Sequence, residues 1–171
     1  MKVDQYRIDR SSWDEIHIDG WFKALIPPSW EVEDDEEVIV FDPSGFGEMS
    51  INLFPNVGRN SKKQKASNMI SDWAEELGLL NGYEVSIFKR TRDLLIASAE
   101  FVSDEPEGEI VYWRIFPIIG GRITLDISYS CPLEDRDREE AIIEGIIDSI
   151  ELIEPMRNTR VPQRRKKAAG E

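Results

Sequence analysis

The sequence predicts an α+β domain: an antiparallel sheet of six or seven strands packed by two main helices. Three observations predict it. Short apolar runs recur along the chain, each bounded by turn residues. The joins between most of them are too short for the crossovers that parallel neighbours need, so consecutive strands pair antiparallel. Two longer stretches carry apolar residues at helical rather than strand spacing.

Trp21 to Ile26 is the first clear strand, stopped by Pro27-Pro28, and Ile16 to Ile18 is a shorter candidate before it. After the turn at Ser29-Trp30 comes the acidic stretch Glu31 to Glu37, read as a solvated loop. Val38–Asp42 and Glu48–Phe54 flank Pro43-Ser44-Gly45-Phe46-Gly47, which marks a hairpin. Lys62 to Leu80 is the first helix. Its stripe is Ala66, Met69, Ile70, Trp73, Leu77 and Leu80, with Ser61 as N-cap and Gly78 or Asn81-Gly82 as the stop. Four strands follow, at Tyr83–Arg90, Leu94–Val102, Glu109–Ile118 and Arg122–Ser130. Gly120-Gly121 is set as a two-residue hairpin loop between the last two. A second helix spans about Leu133 to Leu152, with acids crowding its first turns and a stripe of Ile142, Ile143, Ile146, Ile147 and Ile150.

With Ile119 paired to Arg122, the Gly-Gly hairpin sets Trp113 opposite Ser128 and Ile115 opposite Asp126, and it sorts side chains by face. Tyr112, Arg114, Phe116, Ile118, Ile123, Leu125, Ile127 and Tyr129 share one face. Val111, Trp113, Ile115, Thr124, Asp126 and Ser128 share the other. Both are apolar enough to be at least partly covered. The second mixes aromatic and polar groups, so Trp113, Thr124, Asp126 and Ser128 form a candidate ligand groove wherever no helix covers them.

The 171 residues suit one domain over 1–154 followed by a basic tail over 155–171. Net charge is −13, yet the tail holds six basic residues and one acid, leaving the body at −18. Such a body repels nucleic acid and anionic lipid, so only the tail offers either a contact. The tail is polar, lacks an apolar face, and has no aromatic residue for base stacking. No apolar run reaches the ~20 residues of a membrane span. The charge-mixed start carries no signal-peptide core, which predicts a cytoplasmic setting.

One cysteine and one histidine exclude an intramolecular disulfide, a cysteine-based zinc site and any multi-histidine site. Cys131 lies between a strand and a helix start, where a thiol can be activated, but acids surround it and no base is near in sequence. His17 sits among Asp14, Glu15 and Asp19 without a nucleophile or ligand set. The acids at 31–37 lack the spacing and turn glycine of a calcium loop. The glycines at 45 and 47 precede no helix that would cradle phosphate. No cofactor, metal or catalytic set is expected. The acids Glu33, Asp34, Glu36 and Glu37, with the second acidic stretch at 104–109, instead suit a protein partner with a basic surface.

The run Phe22-Lys23-Ala24-Leu25-Ile26-Pro27-Pro28-Ser29-Trp30-Glu31-Val32 and the helix ending Ile146-Ile147-Asp148-Ser149-Ile150 carry a resemblance. Together they resemble the PsbP-like α/β/α sandwich superfamily, including its DcrB-like bacterial branch, over about residues 15–153. The motifs are packing motifs. The resemblance implies an antiparallel sheet between helices and a mostly non-enzymatic, protein-binding role such as adaptor, effector chaperone or immunity-type inhibitor. It supplies no catalytic residues. The alternative from the residues themselves is a small-molecule binder, or an enzyme, using the Trp113/Asp126/Ser128 face.

Overall fold

The computed structural model describes residues 8–79 and 83–153; the basic tail assigned to 155–171 lies outside them. The strands are β1 (Asp14–Ile18), β2 (Phe22–Ile26), β3 (Glu31–Asp34), β4 (Val38–Phe41), β5 (Glu48–Pro55), β6 (Ser86–Arg90), β7 (Leu95–Asp104), β8 (Ile110–Ile119), β9 (Ile123–Pro132) and β10 (Glu151–Leu152). The helices are α1 (Lys62–Glu76) and α2 (Glu140–Ser149). Seven strands form the main antiparallel sheet in the order β3-β4-β5-β9-β8-β7-β6, and β1-β2-β10 form a separate small sheet. The chain is therefore α+β with a seven-stranded antiparallel sheet between two cover layers.

On the inner face, the main sheet packs against α2 and the small sheet. Phe22, Trp30, Val40, Ile51, Phe116, Leu125, Ile127, Ile146 and Ile147 belong to one buried cluster there. On the outer face, α1 sets Ala66, Ile70 and Ala74 against Leu95, Ala97, Ala99 and Phe101 of β7 and Ile115 and Ile119 of β8. The small residues of β7 let the helix approach the sheet closely. Helix α1 begins as its cap predicts, with the Gln64 N–H donating to Ser61 Oγ at 3.1 Å. It ends in a Schellman motif: Gly78 takes φ +74°, Leu79 N–H reaches Ala74 O and Gly78 N–H reaches Glu75 O.

Four elements differ from the sequence reading. The first two strands leave the main sheet: β1 pairs with β2, and β2 pairs on its other side with β10 through Glu151↔Lys23 and Leu152↔Phe22. The acidic stretch read as a loop contains β3, because Val32 packs on the inner core while the acids alternate around it. The β8–β9 loop has four residues rather than two, with Ile119 opposite Thr124 and Gly120 N–H bonded to Ile123 O. Trp113 thus faces Ser130, not Ser128, and Pro117 faces Asp126. A shift of two residues preserves the strand period, so every side chain keeps its predicted face.

The last helix starts seven residues late. A short 3₁₀ turn at Leu133–Asp135 precedes α2. Glu139 is turned inward, where its Oε1 accepts from Phe46 N–H (3.2 Å), Gly47 N–H (2.9 Å) and Tyr129 Oη–H (2.8 Å). That carboxylate ties the β4–β5 loop to β9, and a Cβ at Gly47 would strike Ser130 O.

The two resemblance motifs have structural roles. Pro27-Pro28-Ser29-Trp30 closes a turn through Trp30 N–H to Pro27 O, and Trp30 is buried. Ser149 Oγ donates to Ile146 O at 2.6 Å and accepts from Leu25 N–H at 2.8 Å, pinning the end of α2 to β2.

Candidate functional surface: the outer sheet face

Helix α1 covers only part of the outer face. Its buried partners come from β7 and β8, and no residue of β3, β4 or β5 belongs to that cluster. The outer side chains of the uncovered half follow from register. Glu33, Ile39, Ser50 and Ser128 form one row across β3, β4, β5 and β9, and Glu31, Phe41, Glu48 and Ser130 form the next. Strand β3 is the border strand of the sheet.

The four acids singled out in the sequence are divided by this geometry. Glu33 stands on the outer face and is exposed. Asp34 alternates to the other side, and Glu36 occupies the turn; both are exposed. Glu37 is half-buried, its carboxylate accepting the Ser50 hydroxyl proton on β5. It therefore braces the hairpin as well as adding charge.

The aromatic–polar set lies partly beneath α1. Thr124 and Ser128 are buried. Trp113 donates its Nε1–H to Ser103 Oγ at 2.9 Å and packs against Trp73 of α1 at 5.7 Å between ring centroids. Trp73 in turn donates Nε1–H to both Asp126 oxygens, at 2.9 and 3.0 Å. Trp113 and Asp126 are thus joined through a residue that the sequence placed only in an apolar helix stripe. A buried indole needs a partner for its N–H, which was the available signal.

Burial pushes the Asp126 carboxyl up to about 6; the Trp73 N–H opposes this, and the Glu76 and Asp72 charges add to it. Beside it is a notch of about 310 Å³ lined by Asn52, Phe54, Met69, Asp72, Trp73, Glu76 and Asp126. Asn52, Asp72 and Glu76 carried no signal of their own in the sequence, because only the docking position of α1 brings them together.

A larger cleft, about 870 Å³, opens at the end of the sheet. Phe41, Phe46, Ile110 and Leu133 give it apolar walls, with Glu48, Glu109 and Glu134 also in its lining. Phe46 and Ile110 are exposed, and the Arg138 guanidinium lies 5.2 Å from the Phe46 ring centroid. Glu109 brings the end of the second acidic stretch to this cleft.

Of the two isolated reactive residues, Cys131 stands in the lining of this cleft and His17 lies apart from it on β1. Cys131 is buried in β9, and burial pushes its thiol up, with the charges of Asp135, Glu139 and Asp137 adding to the effect and the Tyr129 hydrogen bond opposing it. His17 is exposed on β1 with Nε2 2.8 Å from Glu15 Oε1. Among the described residues no three His, Cys, Asp or Glu side chains are grouped to hold a metal ion. Nor is any helix there long and apolar enough to cross a membrane.

No protein-family model matches the chain, and no curated protein matches it. Solved structures do. A crystal structure from Bacteroides thetaiotaomicron is 18% identical with a TM-score of 0.62, covering 90% of this chain and 54% of its own. This chain therefore spans about half of that protein. The Saccharomyces cerevisiae Ran-binding protein Mog1p is 11% identical with a TM-score of 0.54, covering 82% of this chain and 95% of its own. LpqN of Mycobacterium tuberculosis, involved in cell envelope biogenesis, is 11% identical with a TM-score of 0.55, covering 83% and 91%. The likeness shows the fold alone, an α/β sandwich shared with Mog1p and LpqN.

Proposed function

We propose that the chain is a non-enzymatic binding module that takes a protein partner with a basic surface. The observation that carries this reading is the uncovered half of the outer face. No residue of β3, β4 or β5 belongs to the buried cluster beneath α1, which meets β5 only at the notch lined by Asn52 and Phe54, and the border strand and turn expose Glu31, Glu33, Asp34 and Glu36. The lining of the end cleft extends the acidic character to Glu48, Glu109 and Glu134 around apolar walls. Apolar anchors within an acidic surround match an interface that is steered by charge and held by a few side chains.

Charge on a border strand also protects a sheet against edge-to-edge aggregation. The two roles separate experimentally. Aggregation defence needs only charge of either sign, whereas a basic partner needs negative charge. The shared fold supports a binding role at a coarse level, since Mog1p binds Ran. Adaptor, effector chaperone and immunity-type inhibitor are the specific forms this role takes in our reading, within a cytoplasmic setting. The body over 1–154 carries the surface, and the tail over 155–171 is dispensable for it.

The test is quantitative co-purification at low and moderate salt, with any retained protein identified and its affinity remeasured using purified components. Substituting Lys for Glu33, Asp34, Glu36 and Glu37 should weaken the complex at least tenfold and flatten its salt dependence, without aggregation. Undiminished binding by the folded variant removes this surface as the interface. Chains 1–171 and 1–154 should bind alike.

A further inference from the structure

The notch between α1 and the outer face has an unusual donor–acceptor balance. Asn52 sits on β5 directly opposite Asp126 of β9 and is 8% exposed, and its buried Oδ1 has no hydrogen-bond donor. A buried acceptor left unpaired costs about 1–3 kcal/mol, so native structures seldom leave one without a reason. Around the same notch stand three carboxylates. Asp72 and Glu76 lie one turn apart on the exposed side of α1, and Asp126 lies below them.

None of the three forms an ion pair with a Lys, Arg or His among the described residues. Among the described residues, the Asp126 carboxylate takes its hydrogen bond from the single Trp73 N–H shared between its oxygens. Apart from the Trp73 N–H and the Asn52 amide N–H groups, the side chains lining the notch supply acceptors and negative charge and no donors. Its remaining walls are the Trp73 indole, the Met69 thioether and the Phe54 ring.

We propose that this notch binds an organic cation: a guanidinium or ammonium group carried on a short apolar stem. The charged head would lie among Asp72, Glu76 and Asp126, with an N–H directed at Asn52 Oδ1. The stem would lie along Phe54 and Met69, and the Trp73 ring favours a cation beside it. A small hard metal ion fits less well, because the carboxylates are not grouped closely enough to share one. A planar guanidinium spans separated acceptors with its fork of donors. The inference does not depend on the acidic border strand or on the basic-partner reading. Such a group has two sources, a free alkylguanidine or the side chain of an exposed Arg on a polypeptide.

Calorimetric titration of the full chain at pH 7.5 and low salt tests it, using N-butylguanidinium, the uncharged isostere N-butylurea, and the peptide acetyl-Gly-Arg-Gly-amide. Binding of N-butylguanidinium or the peptide should saturate at one per chain, while N-butylurea gives no saturable heat. The pair D72N/E76Q, on the exposed side of α1, should weaken binding at least tenfold with an unchanged melting temperature. Asp126→Asn should do the same while leaving the chain at least as stable. Tighter binding of the peptide than of the free cation assigns a polypeptide source, and the reverse order a small molecule. Absence of saturation by both cations to roughly 10 mM, equal binding of the urea, or full affinity in D72N/E76Q overturns the proposal.

Discussion

The two faces of the main sheet are built from the same strands and are covered differently. On the inner face, Phe116, Ile118, Leu125 and Ile127 are wholly buried beneath α2 and the small sheet. On the outer face a single helix covers β7 and β8, borders β9 and β5 at the Asp126 notch, and has no residue of β3 or β4 in its buried cluster. Alternation along each strand permits this asymmetry, since one backbone serves two independent surfaces. The inner face concentrates stability. The outer face keeps polar and charged groups close to apolar ones, the arrangement that recognition requires.

The sharpest way to break this comparison is a large truncation on the inner face. Phe116 is fully buried, with Phe88 edge-on to its ring and the Arg114 guanidinium 4.8 Å from its centroid. Phe116→Ala should cost about 3–5 kcal/mol by chemical denaturation. A loss under about 1 kcal/mol would mean that the inner face is not the stability core.

The next test lies on the outer face and has the opposite sign. With the folded Asp126 carboxyl at about 6 and its ordinary value at 3.8, the unfolded chain releases a proton across that window which the folded chain keeps. Stability therefore falls as pH rises from about 4 to about 6 and stays lower above it, by on the order of 3 kcal/mol at most. Asp126→Asn retains an acceptor for Trp73 and removes the charge. It should be more stable than the parent at pH 7 and equal to it below pH 4. Parallel stability–pH curves for the two proteins would show that this carboxyl carries no burial penalty.

A smaller effect belongs to the join between layers. Ser149→Ala removes the acceptor for Leu25 N–H and should destabilise the chain by about 1 kcal/mol. The smallest effect belongs to the open half of the outer face. Glu33→Gln should change stability by less than about 0.5 kcal/mol while measurably weakening any basic partner. A large stability loss there would show that the border strand is structural rather than available.

The contrast between faces was largely legible in the sequence, whereas the placement of layers was not. Apolar alternation in β8 and β9 assigned every side chain to its face even though the loop length was two residues off, because parity survives an even shift. The stripe of α1, its Ser61 cap and its Gly78 stop were local signals and needed no tertiary information. Strand β3 was hidden because six of the seven residues from Glu31 to Glu37 are acids, and a single half-buried valine outweighs them only once the core it packs on exists. The departure of β1 and β2 into their own sheet depends on Glu151 and Leu152, far away in the chain. The late start of α2 depends on three donors that call Glu139 inward. At the candidate site, Asp126 stood out by its residue type among apolar neighbours. Trp73 looked like packing, and Asn52, Asp72 and Glu76 acquired meaning only where α1 comes to rest.

The small sheet has a consequence for the order in which the protein is made. Lys23 and Glu151, paired in it, are separated by 128 positions, and ribosomes add roughly 5–20 residues per second. For roughly 6–25 s the nascent β2, with Trp21 and Phe22 beside it, therefore waits without the strand and helix that will bury it. Contacts this distant form slowly even in the finished chain, since a long loop must close before they contribute. The clasp of β10 over β2 is thus the longest-range strand pairing among the described residues, and until it and α2 are in place Trp21 and Phe22 lack part of their cover.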